Sequence, residues 1–301
     1  MSKKYVGTGK DSMLTGSQKT KLFSFMFLLP SLLFVILIVF YPLFKGISYS
    51  FTDGDMFHTG SFVGLRNYIT VLKSPDFLSA LRFSVVFAFF SVLSSYLIGL
   101  GLALLLNTEI PARGFFRATI LMPWIIPSVV SVVAWRWILG DQQSIANAIL
   151  GFFGIEPVLF LASPVWATFS VILVKVWKSF PFMMVSILAV LQTIPEEQYE
   201  SAKLDGAGSW QTFRYITFPN LKNITLVCFI LMTIWSVNDF DTIFLLTKGG
   251  PFGSTQNIIN LAYTYAFTKN DISAGSTMAI IAMVIMMVLA HFQLKAQQAD
   301  E

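Results

Sequence analysis

The chain has 301 residues, of which 55% are hydrophobic and only 12% charged, with a formal net charge of +4. A soluble domain carries about 25% charged residues. This chain has too few polar groups to cover a water-facing surface, so lipid is the expected solvent for much of it. The small net charge gives no footprint for nucleic acid. The single cysteine, Cys228, excludes an internal disulfide framework and any CxxC metal site. It stands in an apolar run, where a packed thiol is expected. The two histidines, His58 and His291, are too far apart in sequence to suggest a metal pair.

Lys3, Lys4, Lys10, Lys19 and Lys21 make a basic opening, followed by an apolar run at 22–44. That run is too long for the apolar core of a signal peptide, about 7–15 residues, and it lacks a small-x-small site at its end. It is expected to remain as a first span. A span needs about 20 apolar residues to cross about 30 Å of hydrocarbon. Five more segments qualify: 80–106, 118–139, 166–191, 223–247 and 276–294. Each must satisfy its own backbone in lipid, so each is expected to be helical. Pro123 and Pro127 lie in the third span and Pro181 in the fourth. Each removes a backbone donor and kinks its helix, which is tolerated where the released carbonyls face protein or a watery path. The expected fold class is all-α integral membrane: a tail at 1–21, a six-span domain at 22–294 and a tail at 295–301.

Basic residues set the orientation. With the N-terminus inside, the inner segments hold Lys3, Lys4, Lys10, Lys19, Lys21, Arg113, Arg117, Lys203, Arg214, Lys222 and Lys295, against Lys45, Arg66, Lys73, Lys248 and Lys269 outside. The bias of eleven to five places both termini in the cytoplasm. Outer connections at 45–79, 140–165 and 248–275 and an inner one at 192–222 are the longest. Gly249-Gly250-Pro251 marks a sharp turn beyond the fifth span.

The inner loop at 192–222 reads as a helix–turn–helix. Pro195 suits a helix start, since its missing donor would be unpaired there, and Glu196 and Glu197 suit the positive end. Tyr199, Ala202 and Leu204 make a modest apolar face. Gly206 and Gly208 allow a tight reversal. A second short helix is expected from Ser209, as N-cap, to about Ile216, ended by Pro219.

Within this loop, Glu200-Ser201-Ala202, three residues, Gly206, nine residues and Ile216-Thr217-Phe218-Pro219 follow one another. The pattern resembles the "EAA" loop of ABC-importer membrane subunits, Glu-Ala-Ala-x3-Gly-x9-Ile-x-Leu-Pro, with Ser201 replacing alanine and Phe218 replacing leucine. Phe62-Val-Gly-Leu-Arg-Asn-Tyr68, Leu121-Met-Pro-Trp124, Trp177-Lys-Ser-Phe-Pro181, Asn238-Asp-Phe-Asp and Lys248-Gly-Gly-Pro251 extend the likeness from about residue 22 onward. They are similar to the carbohydrate branch, the relatives of maltose and glycerol-phosphate permeases, and to the first of its two paired permease types.

The resemblance implies a type I importer permease in a bacterial inner membrane. Its partners would be a second permease in a heterodimer, two copies of a cytoplasmic ATPase and an extracytoplasmic sugar-binding protein received by loops 45–79 and 248–275. The loop would seat in the ATPase through Glu200, Ser201, Ala202, Asp205, Gly206, Ile216 and Pro219, with Glu200 pairing a basic residue and Gly206 holding the turn. This chain would bind no cofactor, ATP and Mg2+ belonging to the ATPase.

Charged residues inside spans are costly and face protein or water. Arg136, Lys175, Lys178, Asp239 and Asp241 stand out, with Trp124, Trp177, Phe182 and Trp235 near them in sequence. Aromatic faces beside hydrogen-bonding groups suit a sugar, which has an apolar ring face and a hydroxyl rim. Spans three, four and five are therefore expected to line the path. From the maltose-type relatives the resemblance carries over Trp124 and Ser128, then Lys175, Lys178, Ser179 and Phe182, then Trp235, Ser236 and Asp239 as sugar contacts. Three readings of the lysines stay open: pairing with Asp239, contact with an anionic sugar, and snorkelling to an interface. Arg136, near its helix end, fits snorkelling or another subunit. Each tryptophan by itself suits interface anchoring or core packing better than stacking on a ligand.

No Gly-x4-Gly-Lys-Ser/Thr loop occurs, so the chain is not the ATPase. No catalytic spacing marks it as an enzyme. An ion-coupled secondary transporter using Asp239 and Asp241 is the alternative. Internal repeats would favour that reading, and none is seen. A membrane scaffold without transport is the third reading.

Overall fold

The computed structural model describes residues 16–298 apart from Met56 and Thr59. The lysines at 3, 4 and 10 and the last three residues lie outside the described residues. The fold is built from helices, in the order α1 Gly16–Val35, α2 Tyr41–Ser50, α3 Arg66–Lys73, α4 Pro75–Asn107, α5 Arg113–Ile125, α6 Ser128–Leu139, α7 Ile145–Phe152, α8 Pro164–Leu191, α9 Glu196–Leu204, α10 Ser209–Thr212, α11 Phe218–Val237, α12 Asp241–Leu246, α13 Ile258–Tyr263 and α14 Ile272–Gln298. π turns join α1 to α2, α10 to α11 and extend α13.

The chain divides into two units, 1–48 and 49–301. In the first, α1 runs through a π turn at Ile36–Phe40 into α2, giving an apolar helical stretch from Ser24 to Ser50 long enough to span a bilayer. In the second, Pro75–Asn107, Pro164–Leu191, Ser209–Val237 and Ile272–Lys295 are long and apolar enough to span. Arg113–Ile125 and Ser128–Leu139 form a bent pair that counts as one more. Ser74 accepts from the Phe77 N–H at 3.5 Å and Pro75 follows it, so the second long helix starts on a proline whose missing donor is no loss.

Helix packing in lipid rests on close fit, because lipid tails are as apolar as the side chains. On α4, Ser84, Ala88, Ser91, Ser95, Gly99 and Ala103 are all buried and recur every three or four residues. This small-residue stripe admits α8 closely. A Cβ on Gly99 would stand 2.7 Å from the Met183 Cβ and 2.9 Å from the Met184 backbone nitrogen. Leu106, Ile187, Leu191, Leu221 and Met232 pack nearby, joining α4, α8 and α11. Ile258, Leu261 and Met278 pack with Phe77 and Ala80, tying α13 and α14 to the start of α4.

Loops 49–79 and 248–275 share one end of this unit: Ser273 donates to the Gly54 carbonyl at 2.7 Å, and Tyr265 donates to Asp76 at 2.9 Å.

Three expectations change. The third span, expected as a kinked helix at 118–139, is two helices bent by 92°. Pro127 supplies the break: it has no N–H, and it drives Ile126 into an extended conformation, ψ 131°. Pro123 and Pro181, by contrast, sit inside unbroken helices. The fifth span, expected at 223–247, ends its long helix at Val237 and resumes as α12 only at Asp241. Pro219 does not stop a helix. The path from Ser209 to Val237 is continuous because a π turn at Phe213–Thr217 precedes the proline. The Phe218 N–H reaches back five residues to Phe213, and the widened turn makes room for the ring.

Candidate functional site

Two interrupted helices face each other across an open cavity of about 510 Å³. One wall is the bend between α5 and α6, from Trp124 to Ser128; another is the unwound segment from Asn238 to Phe240 with the start of α12. Between them α8 contributes Lys175, Lys178, Ser179 and Phe182, and α11 contributes Met232 and Trp235. Irregular backbone at membrane depth is tolerated where it lines a cavity, and it exposes carbonyls and N–H groups to whatever enters.

The second break has no proline. Asp239 makes it: its Oδ1 accepts from the Thr242 N–H at 3.0 Å and caps α12. Its Oδ2 accepts from Lys175 at 2.7 Å and from the Thr242 hydroxyl at 3.1 Å. The Lys175 and Asp239 side chains are 11% and 8% exposed. Lys175 also donates to the Trp235 carbonyl at 3.4 Å, one of the last carbonyls of α11, which has no helical partner. The internal pair is therefore formed by Lys175. Lys178 instead reaches across the cavity to the Ser128 hydroxyl, beside the bend.

The aromatic residues form a row. Phe182 lies between Trp124, at 5.9 Å between ring centroids, and Trp235, at 5.0 Å. Both tryptophans are about half exposed and open to the cavity. They line the cavity here, where the sequence favoured interface anchoring or packing for each tryptophan taken alone.

Of the residues read from the sequence as the path, Trp124, Ser128, Lys175, Lys178, Ser179, Phe182, Trp235 and Asp239 come together around this space. Ser236 does not line it; it is fully buried, with its hydroxyl unpartnered. Arg136 is an exposed residue in the last turn of α6 and lies outside it. Pro127, Met232, Asn238, Phe240 and Thr242 also line the cavity without having been singled out as contacts. Pro127 carried a signal, as a proline in an apolar run. Asn257 carried none: it is fully buried and donates to the Asp239 carbonyl at 2.7 Å. Among the described residues no cluster of His, Cys, Asp or Glu could hold a metal.

The 192–222 hairpin forms a second concavity. Helix α9 carries Glu196 and Glu197 in its first turn. It closes with the Ala207 N–H on the Ala202 carbonyl at 2.9 Å and the Gly206 N–H on the Lys203 carbonyl at 3.1 Å. This double closure needs a left-handed residue, and Gly206 takes it with φ +78°. Gly208 is not left-handed; it is the N-cap of α10, so Ser209 is the first helical residue rather than the cap. The Gln211 side chain accepts from the Gly208 N–H at 2.8 Å. Tyr199 and Thr217 hydroxyls meet at 3.2 Å and hold the two arms together. Glu197, Gln198, Ser201, Ala202, Asp205 and Ile216 line an open notch between them. Glu200, Gly206 and Pro219 do not line this notch; Glu200 and Pro219 are exposed, and Leu204, expected on an apolar face, is 89% exposed.

The chain is similar to several characterised transport proteins. It is 39% identical to the trehalose/maltose transport system permease protein MalF of Thermococcus litoralis, over 78% of this chain and 79% of that protein. It is 30% identical to the sulfoquinovosyl glycerol transport system permease protein SmoG of Agrobacterium fabrum, over 91% and 90%. Its fold matches a chain in the crystal structure of a bacterial ABC transporter involved in the import of the acidic polysaccharide alginate. That match has a TM-score of 0.79 at 21% identity and covers 92% of this chain and 96% of that one. A chain in the crystal structure of a bacterial alginate ABC transporter in complex with an alginate pentasaccharide-bound periplasmic protein matches with a TM-score of 0.78 at 23% identity, over 93% of this chain and 95% of that one. Residues 95–299, from the middle of α4 through the bend, the cavity and the hairpin to the last helix, match a single family profile, and the chain belongs to that family, the binding-protein-dependent transport system inner membrane components.

Proposed function

We propose that this chain is the permease subunit of an ABC importer for an uncharged sugar or short oligosaccharide, and that the cavity between the two helix breaks is its half of the path. The observation that carries the reading is the cavity itself. Aromatic faces of Trp124 and Trp235 stand beside hydrogen-bonding groups of Lys178, Ser128 and Asp241. A saccharide presents ring faces to the first and hydroxyls to the second.

The charges lining the cavity favour a neutral cargo over an anionic one. The cavity holds Lys175 and Lys178 against Asp239 and Asp241, two of each sign. Lys175 is already neutralised by Asp239. The lysines therefore leave no net positive field for an acidic sugar. The relatives' own names span both kinds, from trehalose and maltose to the sulfonated sulfoquinovosyl glycerol.

The remaining assignments follow from family membership. The hairpin notch, with Ser201, Ala202, Asp205 and Ile216 inside it, and the exposed Glu200 of the same hairpin would seat against a cytoplasmic ATPase present in two copies. ATP and Mg2+ would stay on that subunit. A second permease would complete the pore as a heterodimer, and an extracytoplasmic binding protein would deliver sugar to the end that carries loops 49–79 and 248–275. Both termini would then lie in the cytoplasm of a cell whose inner membrane holds the complex.

The test is uptake in a strain lacking the chromosomal gene, complemented with wild type or Lys178→Met. Uptake of a neutral disaccharide that depends on ATP and drops with Lys178→Met supports the reading. Uptake that survives ATP depletion and collapses with an uncoupler would overturn it.

A further inference from the structure

A second polar cluster lies at the end of the protein that carries the 192–222 hairpin, apart from the cavity. Arg113 and Arg117 stand one turn apart at the start of α5, on one face. Gln192, which follows α8, accepts from the Arg113 Nη2 at 2.8 Å and the Arg117 Nη2 at 3.2 Å once its amide oxygen is turned toward them. Two guanidinium groups thus converge on one neutral oxygen.

Among the described residues no carboxylate lies within 4.0 Å of either arginine. The Nε of each is buried and lacks a hydrogen-bond acceptor. The first turn of α5 has no acidic residue, and Ala112, its N-cap, offers no side-chain acceptor. The positive end of the helix therefore adds to the two cations instead of offsetting them. Like charges gathered with unfilled donors require an anion, and arginine's planar fork suits oxygens of a phosphate or carboxylate.

The surroundings select the anion. Phe116, next to Arg117 and on the flank of α5 beside the two arginines, is 47% exposed. Charge and uncovered aromatic surface thus adjoin at the end of a membrane span. Basic pockets between spans at the cytoplasmic face suit phospholipid head groups. We propose that Arg113 and Arg117 form a binding site for the phosphodiester of an anionic phospholipid, with an acyl chain along Phe116. The site rests on the membrane-spanning fold and on the proposed cytoplasmic orientation of this end, and needs neither the sugar nor the ATPase assignment.

The experiment is native mass spectrometry of the detergent-purified protein, in the subunit complex with which it purifies, titrated with phosphatidylglycerol or phosphatidylcholine. Wild type is expected to prefer phosphatidylglycerol by roughly fivefold per arginine. The double variant Arg113→Gln, Arg117→Gln loses that preference, and Arg113→Lys, Arg117→Lys keeps part of it. Excess inorganic phosphate leaves the lipid in place. Equal retention of the two lipids by wild type overturns the proposal, and so does an unchanged preference in the glutamine variant. Displacement by inorganic phosphate assigns the site to a soluble anion and also overturns it. If the glutamine variant does not fold, the wild-type preference and the lysine variant decide.

Discussion

Asn257 donates its side-chain amide to the backbone carbonyl of Asp239 at 2.7 Å. The contact crosses 18 residues, from the loop before α13 to the unwound segment at the cavity. Asn257 is fully buried, and its Oδ1 caps α13 by accepting from the Asn260 N–H at 2.8 Å. Asp239 therefore has its carbonyl held from one side and its carboxylate from the other, by Lys175. The 248–275 loop is thus tied through Asn257 to the segment that carries the Lys175–Asp239 pair.

Replacing Asn257 by leucine leaves the Asp239 carbonyl with only the long 3.5 Å contact from the Asn260 amide, and leaves the Asn260 N–H without its cap. A buried polar group left unsatisfied costs about 1–3 kcal/mol. The expected outcome is a lower melting temperature in detergent together with reduced uptake, although the residue does not line the cavity. Wild-type melting and wild-type uptake would show that the unwound segment holds itself.

Asp239→Asn keeps the shape and the cap on α12 but leaves the Lys175 charge buried without its partner. Breaking a buried pair on one side costs about 3–5 kcal/mol. Uptake is expected to fall to near background and thermal stability to drop. Lys175→Met combined with Asp239→Leu removes both charges, so stability should recover in large part while uptake stays low. Recovery of uptake in the double variant would assign the pair a purely structural role.

Gly206→Asp is expected to abolish uptake while the protein still inserts. The Cβ itself meets nothing within 4 Å, so the strain comes from the backbone, held at φ +78°. A left-handed conformation costs an L-residue about 1–2 kcal/mol. The added carboxylate would also stand next to Asp205 at the hairpin notch. Membrane fractions blotted for the protein, alongside uptake assays, separate insertion from coupling.

Gly99→Val tests the contact of α4 with α8. Overpacking of a well-fitted interface costs about 1–3 kcal/mol, and here the clash includes backbone of the facing helix. The expected result is a lower melting temperature with loss of uptake, whereas Gly101→Val, whose Cβ meets nothing within 4 Å, should leave melting unchanged.

Much of the site was legible before any coordinates. Lys175, Lys178 and Asp239 stand out because a charge in an apolar run is costly unless protein or water receives it. The break at Pro127 was visible as a missing donor. The break at Asp239 was not, because the carboxylate that ends one helix and caps the next is ordinary in sequence. Ser236 was assigned to the path by the resemblance to maltose-type permeases, yet it is fully buried and does not line the cavity. Pro219 read as a stop, and the π turn before it carries the helix onward.

Composition and spacing by themselves determined the lipid solvent, the segments able to span it and the hairpin between two of them, since these depend on local hydrophobicity, prolines and glycines. Tertiary structure alone decided that Lys175 and not Lys178 neutralises Asp239, and that Asn257 anchors the segment between them. Those contacts join residues 64 and 18 positions apart. They exist only because α8 packs against α11 and the loop before α13 folds back onto its end, and no local pattern along a chain specifies which of two neighbouring lysines such packing brings into reach.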